Sequence, residues 1–145
     1  KLLRRFLLHN SNGFYYNGGF MRLIIGGAYQ GKLEYAKEHW NFSDDDVFFC
    51  EENLTIDLSK KVICGLEKFI YACVLEDAEA KDVLKTYNEP LCDKIWIVDD
   101  ISQGVVPIEP DRRAWRESVG RTLLWLGKES DEVHRVFCGL GQKLK

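Results

Sequence analysis

The sequence predicts an α/β fold in which a parallel sheet is flanked by helices and takes its ligand at the carboxyl edge of the strands. Three observations predict it. The apolar run Leu23-Ile24-Ile25 passes through the glycine-rich bend Gly26-Gly27-Ala28-Tyr29-Gln30-Gly31-Lys32-Leu33 into the amphipathic stretch Leu33 to Trp40. A second apolar run, Lys94-Ile95-Trp96-Ile97-Val98, ends in Asp99-Asp100. Elsewhere strand-like runs alternate with stretches of helical spacing through short links.

The 145 residues suffice for one compact domain with a real core and are too few for two. A composition of 46% hydrophobic and 30% charged residues is that of a globular protein. Twenty Lys plus Arg against 23 Asp plus Glu leave a net charge of −3, which argues against a nucleic-acid or membrane surface as the main partner. No apolar stretch approaches the ~20 residues that span a bilayer. Cys50, Cys64, Cys73, Cys92 and Cys138 form no C-x-x-C pair and lie in or beside apolar runs. They read as buried free thiols of a cytoplasmic protein rather than a disulfide framework or zinc site. Met21, the sole methionine, stands directly before the first strand, so the domain is expected to run over 21–145. Residues 1–20, basic and apolar and then rich in Asn and Gly, read as a non-native or disordered extension.

Gly26 to Leu33 follow the pattern of a phosphate-binding P-loop, G-x4-G-K, between a strand and a helix. In that reading the amides of Gly26, Gly27, Ala28, Tyr29, Gln30, Gly31, Lys32 and Leu33 turn inward and attract anionic oxygens at the helix N-terminus. Lys32 adds a point charge for the terminal phosphates. The position that usually carries a Mg²⁺-ligating Ser or Thr is Leu33. The bland reading of the same residues is an ordinary βα turn.

Leu23-Ile24-Ile25 suits a central strand covered on both faces. The helix after it is expected to turn Leu33, Ala36 and Trp40 to one side and to end at His39, a partner for the helix dipole. Asn41 to Asp46 form a loop with a solvated acidic turn, and Val47-Phe48-Phe49-Cys50 a second buried strand. Apolar residues 58, 62, 66, 69, 70, 73 and 74 keep helical spacing, which predicts one amphipathic helix from Leu58 to Val74 with Gly65 and Glu67 inside it, Glu67 facing either a nucleotide or water. A charged link leads to a shorter helix ending near Tyr87, and Asn88-Glu89-Pro90 breaks the chain. Asp99 and Asp100, at the end of the next strand, either manage a Mg²⁺ ion in a Walker B arrangement or close a strand-end turn. Pro110 announces a helix with the seam Trp115, Val119, Leu123 and Leu126. Val133 to Cys138 form a last strand, and a Gly-Leu-Gly turn with a short basic tail follows.

Met21 to Lys32 and Asp99-Asp100-Ile101-Ser102-Gln103-Gly104-Val105-Val106-Pro107 together resemble the bifunctional adenosylcobinamide kinase and adenosylcobinamide-phosphate guanylyltransferase family of cobalamin biosynthesis. Arg113, Arg116, Gly120-Arg121, Asp131-Glu132-Val133 and Gly139-Leu140-Gly141 stand in the register of that family's C-terminal third. The resemblance implies a RecA-like P-loop NTPase, cytoplasmic and trimeric, that transfers phosphate from ATP or GTP to a corrinoid, adenosylcobinamide. Lys32 and Asp100 would then be catalytic, and Asp99 and Asp100 would manage Mg²⁺. The family's guanylylated histidine has no counterpart: His9, His39 and His134 all lie outside the segment from Val47 to Lys94. Guanylyl transfer is accordingly not expected. The rival readings are a nucleotide-binding or structural paralogue without catalysis, and a P-loop kinase acting on another small molecule.

Overall fold

Residues 19–87 and 91–145 are described by the computed structural model. The expectations for residues 1–18 and for the break at 88–90 lie outside them. Strands β1 (Arg22–Gly26), β2 (Val47–Phe49), β3 (Val62–Cys64), β4 (Ile95–Asp99), β5 (Glu132–Phe137) and β6 (Leu140–Lys143) form one sheet in the order β2-β3-β4-β1-β5-β6. All pairings are parallel except β5 with β6. The helices are α1 (Lys32–His39), α2 (Leu66–Leu75), α3 (Ala80–Lys85) and α4 (Pro110–Glu129). The described residues thus make a single α/β domain, a six-stranded and mostly parallel sheet flanked by helices.

Side-chain alternation along the strands sorts the core into two layers. Leu23, Ile63, Trp96, Val98 and Val133 face α2, α3 and α4, where Phe69, Ile70, Leu84, Val119 and Leu126 are buried against them. Ile24, Val62, Ile95, Ile97 and Val136 face the other way and are covered by Tyr35 and Ala36 of α1. β1 and β4, clothed on both faces, are therefore continuous apolar runs, as expected of inner parallel strands.

Several expectations need correction. The helix from Leu58 to Val74 is two elements: Val62-Ile63-Cys64 is strand β3, and only Leu66–Leu75 is helical. Gly65, at φ 76°, makes the turn between them, a left-handed conformation that a residue with a Cβ adopts at a cost. The basic tail is likewise ordered, Leu140–Lys143 folding back on β5 as an antiparallel edge strand. Its reversal centres on Cys138 and Gly139, both at positive φ, and leaves Cys138 exposed; of the cysteines expected to be buried, only Cys50 and Cys73 are, with Cys64 and Cys92 half-buried. On α1 the buried side chains are Lys32, Tyr35 and Ala36, while Leu33 and Trp40 are only half-buried.

Strand β2 covers only Val47–Phe49 and is not buried throughout, because it lies at the sheet edge with Phe49 54% exposed. The remaining elements agree with the sequence. Pro110 opens α4 at its first turn, and Val119 and Leu126 are buried on its seam. Asp44–Asp46 form an exposed 3₁₀ turn in which Asp46 caps Ser43 N. His39 Nδ1 donates to Tyr35 O at 2.8 Å, satisfying a carbonyl in the last turn of α1. No helix among the described residues is long and apolar enough to cross a membrane.

Candidate functional site

The loop after β1 turns where its sequence requires it to. A Cβ on Gly26 would lie 2.4 Å from Val136 O, so the close approach of β5 demands glycine there. Gly31 caps α1 at φ 83°, and Tyr29 also adopts positive φ with its ring fully in solvent. Gln30 ties the loop to the β5–β6 turn. Its side-chain Oε1 accepts from Cys138 N at 2.7 Å, and its carbonyl accepts from Gly139 N at 2.8 Å.

Lys32, the first residue of α1, is 7% exposed and turns back under the loop. Its Nζ donates to Gly27 O at 2.6 Å and lies 2.5 Å from Asp99 Oδ1. Asp99 can be reached because β4 is the neighbour of β1, with Gly26 in register with Asp99, so the loop and the acidic end of β4 share one edge. The two carboxylates at that end differ in surroundings. Asp99 takes the lysine. Asp100 accepts from Ser102 N at 2.9 Å and Ser102 Oγ at 2.5 Å, while its own N–H donates to Gly26 O at 2.8 Å. Burial pushes the Asp100 carboxyl up, but the Ser102 hydrogen bonds, Gln103 and the charge of Arg135 bring it below its ordinary range.

Glu67 joins the site from α2, and the sequence could not place it. It is 4% exposed, and its Oε2 accepts from Asp99 N at 2.9 Å. Burial raises its pKa above the ordinary glutamate value; the Asp99 amide works against the shift and the Asp99 charge works with it. Trp115 Nε1 donates to Glu67 O at 2.7 Å, so α4 fixes the start of α2 as well.

A cavity of about 280 Å³ opens between the loop and the turn after β4, lined by Gly26, Gly27, Gln30, Asp100, Gln103 and Arg135 among others. The structure thus brings Gly26, Gly27, Gln30 and Asp100 to one cavity, with Lys32 and Asp99 joined beneath the loop. Tyr29 projects away. Leu33 packs on the layer of Ile24 and Tyr35, offering the loop no oxygen. Arg113, Arg116 and Arg121 do not line the cavity. Arg113 donates to the carbonyls of Pro107 and Ile108, Arg116 to Ser102 O, and Arg121 pairs with Glu79 at 2.6 Å. They organise the segment after β4 and the contact of α4 with the start of α3.

The described histidines, His39 and His134, lie elsewhere. Within the β5 and α1 layer, Tyr35 Oη bonds His134 Nδ1 at 2.9 Å, and His134 Nε2 faces Glu132 Oε2 at 3.4 Å. Burial lowers the His134 pKa, with Glu132 opposing the shift. Neither ring lines the cavity.

No protein-family model matches the chain, and no curated protein is similar to it at a significant level.

Proposed function

We propose that this chain is a P-loop nucleotide-binding protein of RecA-like type, related to the adenosylcobinamide kinases. In this reading Gly26 to Leu33 hold the phosphates of ATP or GTP, and Lys32 and Asp100 serve transfer of the terminal phosphoryl group to a corrinoid hydroxyl. The ion pair of Lys32 with Asp99 carries the reading. A loop lysine drawn back onto the acidic end of the adjacent parallel strand is poised at the strands' carboxyl edge, where α/β proteins take their ligands. Incoming phosphate oxygens offer the ammonium a stronger set of partners than one carboxylate and one carbonyl. Its move to them would release Asp99. Loop amides and lysine then stabilise charge on the transferring group, the main demand of phosphoryl transfer.

Mg²⁺ would be held by Asp99 and Asp100, and its chemistry there would be to screen the charge of the phosphate oxygens. Two carboxylates without a hydroxyl at position 33 suit an ion that keeps most of its water shell. Guanylyl transfer is not part of the proposal, since neither His39 nor His134 lines the cavity. The exposed apolar side chains of Val105, Val106 and Ile108, just after the site, offer a surface to a bulky corrinoid or to neighbouring copies in a trimer. Packing of Leu33 into the α1 layer favours a second reading, in which the chain binds nucleotide and does not turn it over.

Calorimetric titration of ATP and GTP, with Mg²⁺ and with EDTA, tests the proposal on wild type and Lys32→Ala. Saturable binding that the variant loses is expected. Binding absent from wild type, or unchanged by the substitution, removes both readings. Turnover of adenosylcobinamide separates the kinase from the inactive binder.

A further inference from the structure

Arg135 is a polar residue inside a strand whose neighbours Val133, His134 and Val136 are all buried. It pairs in register with Ile25, one residue before the loop, and both line the cavity. Among the described residues its guanidinium makes no hydrogen bond and no ion pair. The contrast with Arg113, Arg116 and Arg121 is plain, since each of those is spent on a carbonyl or carboxylate of this chain. Lys32, the other cation of the site, is neutralised by Asp99, and Asp100 adds a negative charge to the cavity wall. A phosphate chain entering beside the Asp100 carboxylate needs a further cation, and a guanidinium with free donors suits phosphate oxygens. The volume of about 280 Å³ falls just short of the ~300–1,000 Å³ of sites that enclose whole small molecules. It suits a phosphate chain whose base lies outside.

We infer that Arg135 is a second anion-binding residue of this cavity, taking the outer oxygens of a di- or triphosphate chain opposite the loop amides. The inference rests on the nucleotide reading of the loop and adds to it a second cation, from the neighbouring strand, for the phosphate chain. It also gives the site a positive charge that substitutes in part for the direct metal ligand missing at Leu33.

Arg135→Gln, Arg135→Lys and Lys32→Ala are titrated with inorganic pyrophosphate, GTP, GMP and guanosine, each with Mg²⁺ and with EDTA. Arg135 is exposed, so the melting temperatures of its variants should stay close to that of wild type. Arg135→Gln is expected to weaken pyrophosphate and GTP by about tenfold or more, the worth of a charge-assisted hydrogen bond, with a larger loss in EDTA. GMP should change by less than about threefold, and Arg135→Lys should recover most of the loss. Pyrophosphate and GTP binding unchanged in Arg135→Gln, while Lys32→Ala abolishes it, overturns the role of Arg135 and leaves the nucleotide reading standing. An equal loss for guanosine, GMP and GTP overturns it too, since the effect would not follow the phosphates. Failure of wild type to bind any of the four overturns both.

Discussion

Lys32 Nζ and Asp99 Oδ1 lie 2.5 Å apart across the junction of β1 and β4, the lysine side chain 7% exposed and the aspartate side chain 29%. The pair bridges the first residue of one helix and the last of the neighbouring strand. Removing the cation leaves a half-buried carboxylate without its partner, which is more damaging than losing both charges. Lys32→Met should therefore destabilise the domain by about 1–3 kcal/mol, and adding Asp99→Asn should recover part of the loss. Urea denaturation of the two single variants and the double variant measures the coupling, and additive effects would contradict the pair's contribution.

Gly26 has a steric requirement that its neighbour in the loop lacks. Gly26→Ala forces a Cβ against Val136 O at 2.4 Å, so β5 must shift from β1 or the loop must deform. A Cβ on Gly27 meets nothing closer than 3.5 Å. We expect Gly26→Ala to cost about 1–3 kcal/mol and Gly27→Ala less than about 1 kcal/mol in stability, as read by thermal and urea unfolding.

Gln30 holds the loop to the β5–β6 turn through its side-chain oxygen. Gln30→Ala removes one hydrogen bond, about 0.5–1.5 kcal/mol, and leaves the backbone bond from Gly139 intact. Amide exchange at Cys138 should accelerate while exchange within β1 stays unchanged. Uniform acceleration through the sheet would mean that Gln30 supports the whole fold instead.

Glu67 provides the pH dependence. Its folded pKa is raised above the ordinary 4.5, so the folded state holds the proton more tightly than the unfolded chain does. That preference is fully present below the unfolded value and is lost as pH rises through the folded value, leaving a buried carboxylate at higher pH. Glu67→Gln keeps an acceptor for Asp99 N and has no charge to bury. It should be at least as stable as wild type at pH 8, the difference closing toward pH 4. Denaturant midpoints across this range decide; a difference that widens on acidification would reverse the sign.

If the loop holds a nucleotide with Mg²⁺ as proposed, Leu33→Ser tests its handling of the metal. It supplies the missing hydroxyl at the cost of apolar contacts with the α1 layer, about 1–2 kcal/mol for a half-buried leucine. GTP affinity should rise in Mg²⁺ and stay unchanged in EDTA. A rise in both would assign the gain to loop geometry rather than to metal ligation.

Much of this arrangement was legible in the residues. Strand β1 and the loop announce themselves through Leu23 to Lys32, β4 through an apolar run closed by acid, and α4 through Pro110 and a spaced seam. Their signals are local, so tertiary structure had little to override. Strand β3 was hidden because Val62, Ile63, Leu66, Phe69 and Ile70 satisfy a helical period as well as a buried strand followed by a helix, and Gly65 alone marks the junction. Strand β6, with exposed Leu140, Gly141, Gln142 and Lys143, has no apolar alternation; its pairing with β5 defines it. Periodicity left Glu67 open between facing a nucleotide and facing water, because only the adjacency of β3 and β4 brings it to Asp99. Arg135 left a trace, a cation in a strand otherwise suited to burial.

The contact between Tyr35 and Gly141 has a mechanical corollary. A Cβ on Gly141 would fall 2.1 Å from the Tyr35 ring, so the aromatic side chain is keyed into a notch of the final strand. Tyr35 rides on the short helix that begins with Lys32, and that strand therefore acts as a backstop for the lysine's helix. Substitutions at Gly141, which does not itself line the cavity, should tilt the helix and, if the loop holds an anion as proposed, alter its affinity.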